Sequence, residues 1–402
     1  MRSRLIVISL AFVFAGFSSL AFGQARQAQQ MTENGGIQPA IELTEKIDIT
    51  LTGKPGMQIS VNHSFGDVDV RRGTNDKITI KGEKRVSADD KKDAEEFIKN
   101  MLLKIDEKTN KVDITTEYPK DKEDINSFSI SYTLEIPENI DLNIENSFGD
   151  IDLNTLTGKF NVSNSFGSLN AADLEGEIQL NNRFGELIAG NLTGNPKITN
   201  QHGSLKISNV HGDLTANSGF GEIKVTDVTG MAHITGKFGP MTVERVGSSA
   251  ELINEFGSIT CREIKGDYLV INNKHASVEA VEISGKVSVN NSFGGVTVTN
   301  AAGSVSVNNE HAAITVSGVL IDTVEERTIN LETSFGRIEL ALPGDVSANI
   351  TASTTFGEIR SDFDLNIEKI SSNKRNLSDR IGNGKHTIEL RGEHTTIHIK
   401  KK

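Results

Sequence analysis

A Phe-Gly pair, or a variant of it with His or Ala, returns along this chain at a nearly constant distance. The step is 18 residues throughout, except for one step of 19 residues between Phe256 and His275. Looser copies follow at Phe335 and Phe356. A fixed period this short is typical of a solenoid, in which each repeat packs on its neighbours. The residues at these ring positions are Phe148, Phe166, Phe184, His202, Phe220, Phe238, Phe256, His275, Phe293 and His311.

Apolar and polar residues alternate within each unit. Aliphatic or small side chains lie three and five residues after each ring position, as at Leu205 and Ile207, and a second alternating pair follows, as at Val287 and Val289. Period-two alternation is typical of a strand with one buried face. Each unit is therefore predicted to hold two short strands, separated by corners with Gly, which tolerates positive φ. Cys261 falls in a buried column, which favours a core residue over a reactive thiol.

One such unit cannot bury its own apolar face, whereas stacked units can, with hydrogen bonds running from coil to coil. We therefore predict an all-β chain that forms a β-solenoid (β-helix) of about ten regular 18-residue coils, a rod on the order of 50 Å long at the usual strand spacing.

Two further columns keep the same register and are predicted to form a structural ladder. The position two residues before the ring is mostly Asn, whose amide can hydrogen-bond to neighbouring coils at a corner. The ring position itself is predicted to stack as an aromatic ladder, with His keeping a planar ring where Phe is lost. The predicted ladder comprises Asn146, Asn164, Asn182, Asn200, Asn254, Asn273, Asn291 and Asn309, with Phe148, Phe166, Phe184, Phe220, Phe238, Phe256 and Phe293.

No catalytic, cofactor-binding or metal-binding residue is predicted. His202, His275 and His311 are about four and two coils apart, roughly 20 and 10 Å, which is too far to share an ion. The outward residues that follow Phe-Gly vary from unit to unit, and no recurring pair of carboxylates forms a catalytic groove. Calcium-stacked β-rolls also use 18-residue coils, but they need an acid at a fixed place beside several Gly in each turn. That alternative stays open, and melting with and without a chelator would test it.

The regions outside the array are predicted as follows. Residues 1–23 form a signal peptide and 24–40 a linker. Residues 41–140 form a β-rich N-terminal capping domain, with an early copy of the repeat at Phe65, a helix near 88–103 capped by Ser87 and a hairpin turning near Thr109 and Asn110. The regular array covers residues 141–333. Residues 334–402 form irregular terminal coils and a C-terminal cap.

The N-terminus has the pattern of an export signal. Arg2 and Arg4 precede an apolar run over residues 5–17, and small residues follow at Ala21 and Gly23. An uncleaved membrane anchor is the alternative, although the run is short for a span and no other stretch is long and apolar enough. No Cys follows the signal, which disfavours a lipoprotein. We expect an exported protein, periplasmic or secreted to the cell surface, with no transmembrane segment after signal removal.

The arrangement resembles a bacterial "putative adhesin" domain family of unknown function, found in exported and envelope-associated proteins. The resemblance covers roughly residues 41–402. It rests on Ile136–Asn139 leading into the motif at 142–153, on 341–343, on 354–359 and on 381–390. The chain departs from the family at His394–Thr396, where a closing Gly-Asp-Ile is more usual, and this concerns the geometry of the last strand.

The resemblance and the absence of a catalytic pattern together predict a non-enzymatic adhesin or envelope binding protein. It would present an elongated surface to an envelope protein or a glycan. The alternative is a purely structural envelope scaffold without a specific ligand. The formal net charge of -12 disfavours a nucleic-acid partner, because phosphate neutralisation needs clustered Lys and Arg. No cofactor is expected.

Overall fold

In the computed structural model, strands that are one coil apart pair in parallel. The structure describes residues 4–6, 40–74, 76–320 and 325–402. Apart from the backbone of residues 4–6 and residue 40, the predicted signal peptide (1–23) and linker (24–40) lie outside the described residues. The chain divides into two compact units, Met1–Leu174 and Glu175–Lys402.

The first unit is built mainly from strands. Its elements are β1 (Arg4–Ile6), β2 (Ile41–Thr52), β3 (Gln58–Phe65), β4 (Val68–Arg72), β5 (Lys77–Ala88), α1 (Lys91–Asn100), β6 (Leu102–Lys108), β7 (Lys111–Glu117), β8 (Ile125–Ile136), β9 (Ile140–Phe148) and β10 (Ile151–Phe166), and it contains the start of β11 (Leu169–Phe184).

Strand pairing in the first unit forms two groups. In one, β3 pairs in parallel with β7 and β9, and β9 pairs in parallel with the second half of β10. In the other, β2, β5 and β8 are antiparallel, and β4 lies in parallel between β8 and the first half of β10. β6 pairs antiparallel with β1 and with β7, and its hairpin to β7 confirms the turn predicted near Thr109 and Asn110.

The early repeat at Phe65 is a coil of the same kind as the later ones. β3 and β9 pair so that His63 lies opposite Asn146 and Phe65 opposite Phe148, although 83 residues separate the two copies in the chain. Parallel coil-to-coil pairing therefore begins at Gln58, inside the segment predicted as the 41–140 capping domain.

Helix α1 packs its apolar side inward through Ala94, Phe97 and Ile98. The Ser87 cap predicted from the sequence is wrong, because Ser87 belongs to β5. Asp90 is the N-cap instead, and its carboxylate accepts hydrogen bonds from the amides of Lys92 and Asp93, satisfying donors that lack a partner in the first turn. No helix of the described chain is long and apolar enough to cross a membrane.

The second unit continues from β11 with short strands. They are β12 (Leu187–Thr193), β13 (Lys197–His202), β14 (Leu205–His211), β15 (Leu214–Phe220), β16 (Ile223–Val228), β17 (Ala232–Phe238), β18 (Met241–Val246), β19 (Ala250–Asn254), β20 (Ile259–Ile264), β21 (Tyr268–Asn273), β22 (Val278–Ile283), β23 (Lys286–Asn291), β24 (Val296–Ala301), β25 (Val305–Asn309), β26 (Ile314–Ser317), β27 (Thr328–Thr333), β28 (Gly336–Leu342), β29 (Ala348–Thr355), β30 (Ile359–Ser361), β31 (Ile367–Lys369), β32 (Lys374–Ile381), β33 (His386–Glu393) and β34 (Thr395–Lys401).

From β12 to β28, strands one coil apart pair in parallel, so two ladders form. One runs β12, β14, β16 and onward, and places Leu205 opposite Ile223. The other runs β13, β15, β17 and onward, and places Ala216 opposite Ile234. The apolar columns of both ladders are buried, because alternation points every second side chain inward. The predicted all-β solenoid is confirmed.

The C-terminal coils do not stack in chain order. β27 and β28 pair in parallel with β33 and β34, which in turn pair with β29 and β30. The last strands of the chain therefore lie between the coils of Phe335 and Phe356. β29 also pairs antiparallel with β32, and β32 with β31.

Candidate binding surface

The aromatic side chains of the first unit stack where the repeat places them. Phe65 and Phe148 are parallel with ring centroids 5.0 Å apart, and Phe148 and Phe166 follow at 4.9 Å. Tyr118 and Phe128 meet Phe65 edge-on, at 5.3 and 4.9 Å. These two rings cover Phe65 with an aromatic cluster that the 18-residue period did not predict.

The second unit carries a longer row of stacked rings, which we call the ring column. Neighbouring centroids are between 4.6 and 5.4 Å apart, close to the strand spacing of about 4.7–4.9 Å. Most pairs are nearly parallel, and the two that involve His311 are tilted by 45° and 42°. In spatial order the ring column consists of Phe184, His202, Phe220, Phe238, Phe256, His275, Phe293, His311, Phe335, His394 and Phe356.

His394 is a member of the ring column that sequence analysis missed. Its centroid lies 5.2 Å from that of Phe335 and 4.7 Å from that of Phe356. The residue stands in the segment that departs from the family pattern, with Thr395 where the other coils have Gly or Ala. Ile397 and Ile399, three and five residues later, were the signal that could have found it, because both are buried like their counterparts elsewhere.

The ring column is exposed along one side. Phe220, Phe256 and Phe293 keep 45%, 41% and 45% of their surface accessible, and Phe356 keeps 53%. Because the neighbouring rings cover the faces, solvent reaches mainly the ring edges. The edge of an aromatic ring is its positive side and suits oxygen acceptors, other ring faces and apolar groups. The column therefore presents a row of ring edges.

The predicted Asn column lies beside the rings and is buried. Each of Asn146, Asn164, Asn182, Asn200, Asn254, Asn273, Asn291 and Asn309 is at most 4% exposed. In Asn200 the amide nitrogen donates to the carbonyl of Gly185 on the preceding coil, at 3.1 Å, and to that of Ser204 on its own coil, at 3.0 Å. Ser218 and Gly236 occupy the column in the two coils that follow. The Oδ1 atoms of these Asn residues have no hydrogen-bond partner among the described residues.

A glycine after most of the rings fixes the close approach of the coils. Gly203 has a φ of +123°, and a Cβ added there would lie 2.0 Å from the carbonyl oxygen of Gly185. Its amide donates to the carbonyl of Phe220 on the next coil at 3.0 Å. Only a residue without a side chain fits this geometry, so this Gly column holds the rings at the spacing of the strands.

A second column of left-handed residues, which the sequence analysis did not identify, lies seven residues after the rings. These residues have φ between 54° and 60°, although none of them is Gly. Asn and Asp tolerate this region best, and their recurrence was the available signal. The members in the second unit are Asn191, Asn209, Asp227, Arg245, Glu263, Glu282 and Asn300.

A shallow groove of about 330 Å³ lies on the second unit beside the ring column. It runs across the outward side chains of β19, β21, β23 and β25. We use "the groove" for the space lined by Ile253, Asn254, Glu255, Asn272, Asn273, Lys274, Asn290, Asn291, Ser292, Asn308 and Glu310.

The titratable groups of the described chain do not converge on a reaction centre. No group of three or more His, Cys, Asp or Glu side chains there is placed to hold a metal ion. Burial raises the pKa of the Cys261 thiol to about 12, as expected for a thiol inside the core. Burial also lowers the pKa of His63 to about 4, and this ring contacts Thr116 in the first unit at 3.2 Å.

Comparisons with solved structures give two distant matches. A "putative cell adhesion protein" from Clostridium sporogenes ATCC 15579 is 11% identical, with 89% of this chain and 100% of that chain covered and a TM-score of 0.16. A "putative adhesin" from Bacteroides fragilis NCTC 9343 is 14% identical, with 76% and 99% covered and a TM-score of 0.21. At such TM-scores neither structure bears on the function of this chain.

No curated protein shows a significant match to the sequence. The family profile described as Toastrack DUF4097 matches residues 57–255 and again residues 239–400. Together the two matches cover most of the chain and include the coils at Phe65 and at His394. The chain therefore belongs to the Toastrack DUF4097 family.

Proposed function

We propose that this chain is an exported, non-enzymatic binding protein of the adhesin type, which contacts an envelope protein or a glycan through the ring column of its second unit. The observation that carries this proposal is the row of exposed ring edges. At the strand spacing, eleven rings extend on the order of 50 Å.

Aromatic exposure of this extent favours recognition. Contiguous exposed apolar surface on a soluble protein usually marks an interaction site. Aromatic side chains are enriched at interfaces because they bury a large area with little loss of conformational freedom. The rings are already fixed by stacking and by the Gly column, so a partner would not need to order them. Preorganisation of this kind favours affinity.

The surroundings of the outward charges favour a binding role over catalysis. Asp227 is paired with Arg245 at 2.7 Å, and Glu186 with Lys206 at 2.6 Å. In both pairs the hydrogen bond from the cation holds the pKa of the carboxyl below its usual value. A general acid needs a raised pKa and an enclosed site, and these surface acids have neither.

A structural scaffold is the second candidate, because the same contacts also hold the coils together. Stacking uses the ring faces, the buried Asn column bridges coils, and both would be needed without any ligand. The two candidates differ in one respect. A scaffold does not require apolar ring edges, whereas a binding surface does.

The experiment compares three forms of the purified mature chain. In the first variant Phe220, Phe256 and Phe293 are all replaced by His, which the ring column already uses and which keeps a stacking ring. Ile188→Ser is the matched control, since Ile188 is 40% exposed but outside the column. Binding to intact cells and to isolated envelope fragments of the source organism is measured, with thermal melting of each form.

Loss of binding in the triple variant, with retention in the control and similar melting of all three, supports the binding role. Equal retention of all three forms, or no saturable binding by the unchanged chain, favours the scaffold. Export is proposed on the predicted signal peptide alone. Cell fractionation and protease access to the surface of intact cells will test it, and recovery of the mature chain in the cytosol would contradict it.

A further inference from the structure

The groove differs from the rest of the outward surface in having the same side chain on three consecutive coils. Asn272, Asn290 and Asn308 occupy the position three residues before the ring, and register places each opposite the next. In the earlier coils of the second unit this column holds Asn181, Thr199, Asn217, Thr235 and Ile253. The three consecutive amides therefore form a local array on an otherwise varied surface.

These amides offer hydrogen-bonding groups to solvent. The Asn290 amide nitrogen donates to the Asn272 oxygen at 3.0 Å, so the two carboxamides are held in a fixed relation. Asn290 and Asn308 are exposed and Asn272 is half-buried. Each carboxamide has two N–H donors and an oxygen with two lone pairs, so the internal bond uses only part of their capacity.

The charges in the groove disfavour an anionic ligand. Glu255 is paired with Lys274 at 3.0 Å, which neutralises the only cation of the lining in the described chain. Glu310 is exposed and adds a further negative charge. A phosphate or a polyanionic chain would therefore meet net negative charge here, and electrostatic complementarity would be lost.

The polar lining also disfavours an apolar ligand. Sites for such ligands are enclosed and mostly hydrophobic, at about 300–1,000 Å³. The groove has a volume at the lower end of that range but is open and lined by amides, a hydroxyl and charged groups. Neutral hydroxyl groups match this lining, because each hydroxyl both donates and accepts a hydrogen bond.

The backbone of the groove is fixed in advance. The amide of His275 donates to the carbonyl of Glu255 at 3.1 Å, and that of Phe293 donates to the carbonyl of Lys274 at 2.8 Å. These bonds join successive coils at the ring positions, so the groove residues stand next to exposed rings in the chain. A ligand in the groove would therefore meet side-chain amides on a backbone that is already fixed.

We propose that the groove binds a neutral oligosaccharide, with Asn272, Asn290 and Asn308 as its hydrogen-bonding floor. This inference rests on the proposed binding function and names the ligand class for one part of that surface. Three amides at strand spacing contact successive hydroxyl groups along the sugar chain.

The test uses the full mature chain, an array of neutral and anionic oligosaccharides, and titration calorimetry with the neutral probe that binds best. The groove variant replaces Asn272, Asn290 and Asn308 by Ala. The matched control replaces Asn181 and Asn217 by Ala, because they belong to the same column but lie outside the groove. Loss of several uncharged hydrogen bonds predicts a Kd that rises about tenfold or more in the groove variant and stays unchanged in the control.

Saturable binding of neutral oligosaccharides that follows this pattern supports the proposal. Absence of saturable binding to every neutral oligosaccharide, equal loss in the control, or preference for anionic sugars overturns it. The Phe-to-His triple variant separates the two levels of inference. If the Phe-to-His changes abolish envelope binding and the groove changes do not, the binding function is supported and the oligosaccharide site is contradicted. If neither set of changes alters envelope binding, both the binding function of the ring column and the oligosaccharide site are contradicted.

Discussion

Replacement of Gly203 by Ala tests whether the Gly column sets the spacing of the coils. Gly203 has a positive φ that L residues rarely adopt, and its Cβ position lies 2.0 Å from the Gly185 oxygen and 2.7 Å from the Gly185 carbon. Both obstacles are backbone atoms, so no side-chain rotation can relieve the clash. The coils must separate locally or the backbone must change its conformation. Either response weakens the hydrogen bond from Gly203 to Phe220.

The expected cost is large for a single methyl group. Backbone strain in a sparsely populated region costs about 1–3 kcal/mol. Overpacking in a dense interior adds about 1–3 kcal/mol. We therefore expect Gly203→Ala to lower the free energy of unfolding by roughly 2–6 kcal/mol, measured by urea denaturation followed by circular dichroism.

The chain offers a control at the equivalent position of another coil. Ala276 follows the ring of His275 and is not among the residues with positive φ. Ala276→Gly relieves no clash, and the extra flexibility of Gly predicts a loss of only about 0.5–1 kcal/mol. A loss below about 1 kcal/mol in Gly203→Ala, or an equal effect of the two changes, would refute the role given to the Gly column.

Three further predictions follow from buried groups. Asn200→Ala removes two hydrogen bonds to backbone carbonyls and should lower the unfolding free energy, measured by urea denaturation, by about 1–3 kcal/mol; an unchanged free energy would contradict this. His63 has a folded pKa near 4, below its unfolded value, so the unfolded state binds more protons between pH 6.5 and 4. Acidification through that window should destabilise the unchanged chain by about 3 kcal/mol more than His63→Asn, as measured by denaturation at both pH values, and parallel curves would contradict it. Cys261 should react with a thiol reagent only after unfolding, and rapid labelling of the folded chain would contradict its burial.

The repeat predicts the fold because a solenoid is nearly one-dimensional. Each coil contacts only its neighbours, so one period fixes strand, corner and register along the whole array. The two buried columns to which Leu205 and Ile207 belong were predictable for this reason. The residue types within one column then distinguish a core position from an outward one. Cys261 was correctly predicted to lie in the core, because the equivalent residues of other coils are small or aliphatic.

The period does not predict where the chain leaves the stack and returns. Phe65 and Phe148 are neighbours because β7 and β8, which lie between them in the chain, pair with the other edges of β3 and β4 and leave β3 free to pair with β9. His394 lies between Phe335 and Phe356 because β33 and β34 can complete a ladder with strands that precede them by many residues. Both contacts depend on long-range pairing, which a local repeat does not encode.

Ring exposure is the second feature that the pattern leaves open. Strict alternation would put the ring and the buried Asn two residues earlier on the same face. The strand β19 ends at Asn254 and Gly257 turns the chain, so the ring of Phe256 lies at a corner with its edge in solvent. At a corner the alternation of inward and outward side chains no longer holds. The geometry of the corner depends on φ values that residue type does not determine.

The groove shows how a ligand site can arise within a repeat. Outward residues are free to vary because packing does not constrain them, and after Phe-Gly they do vary. Three identical amides in consecutive coils are therefore a departure that the solenoid itself does not require. The inward Asn column has a packing reason, since its amides satisfy buried carbonyls, whereas Asn290 and Asn308 are exposed and satisfy no carbonyl of the corner. An outward repeated residue that satisfies no buried backbone group keeps hydrogen-bonding capacity for a ligand. The groove variant removes that capacity together with the hydrogen bond from Asn290 to Asn272.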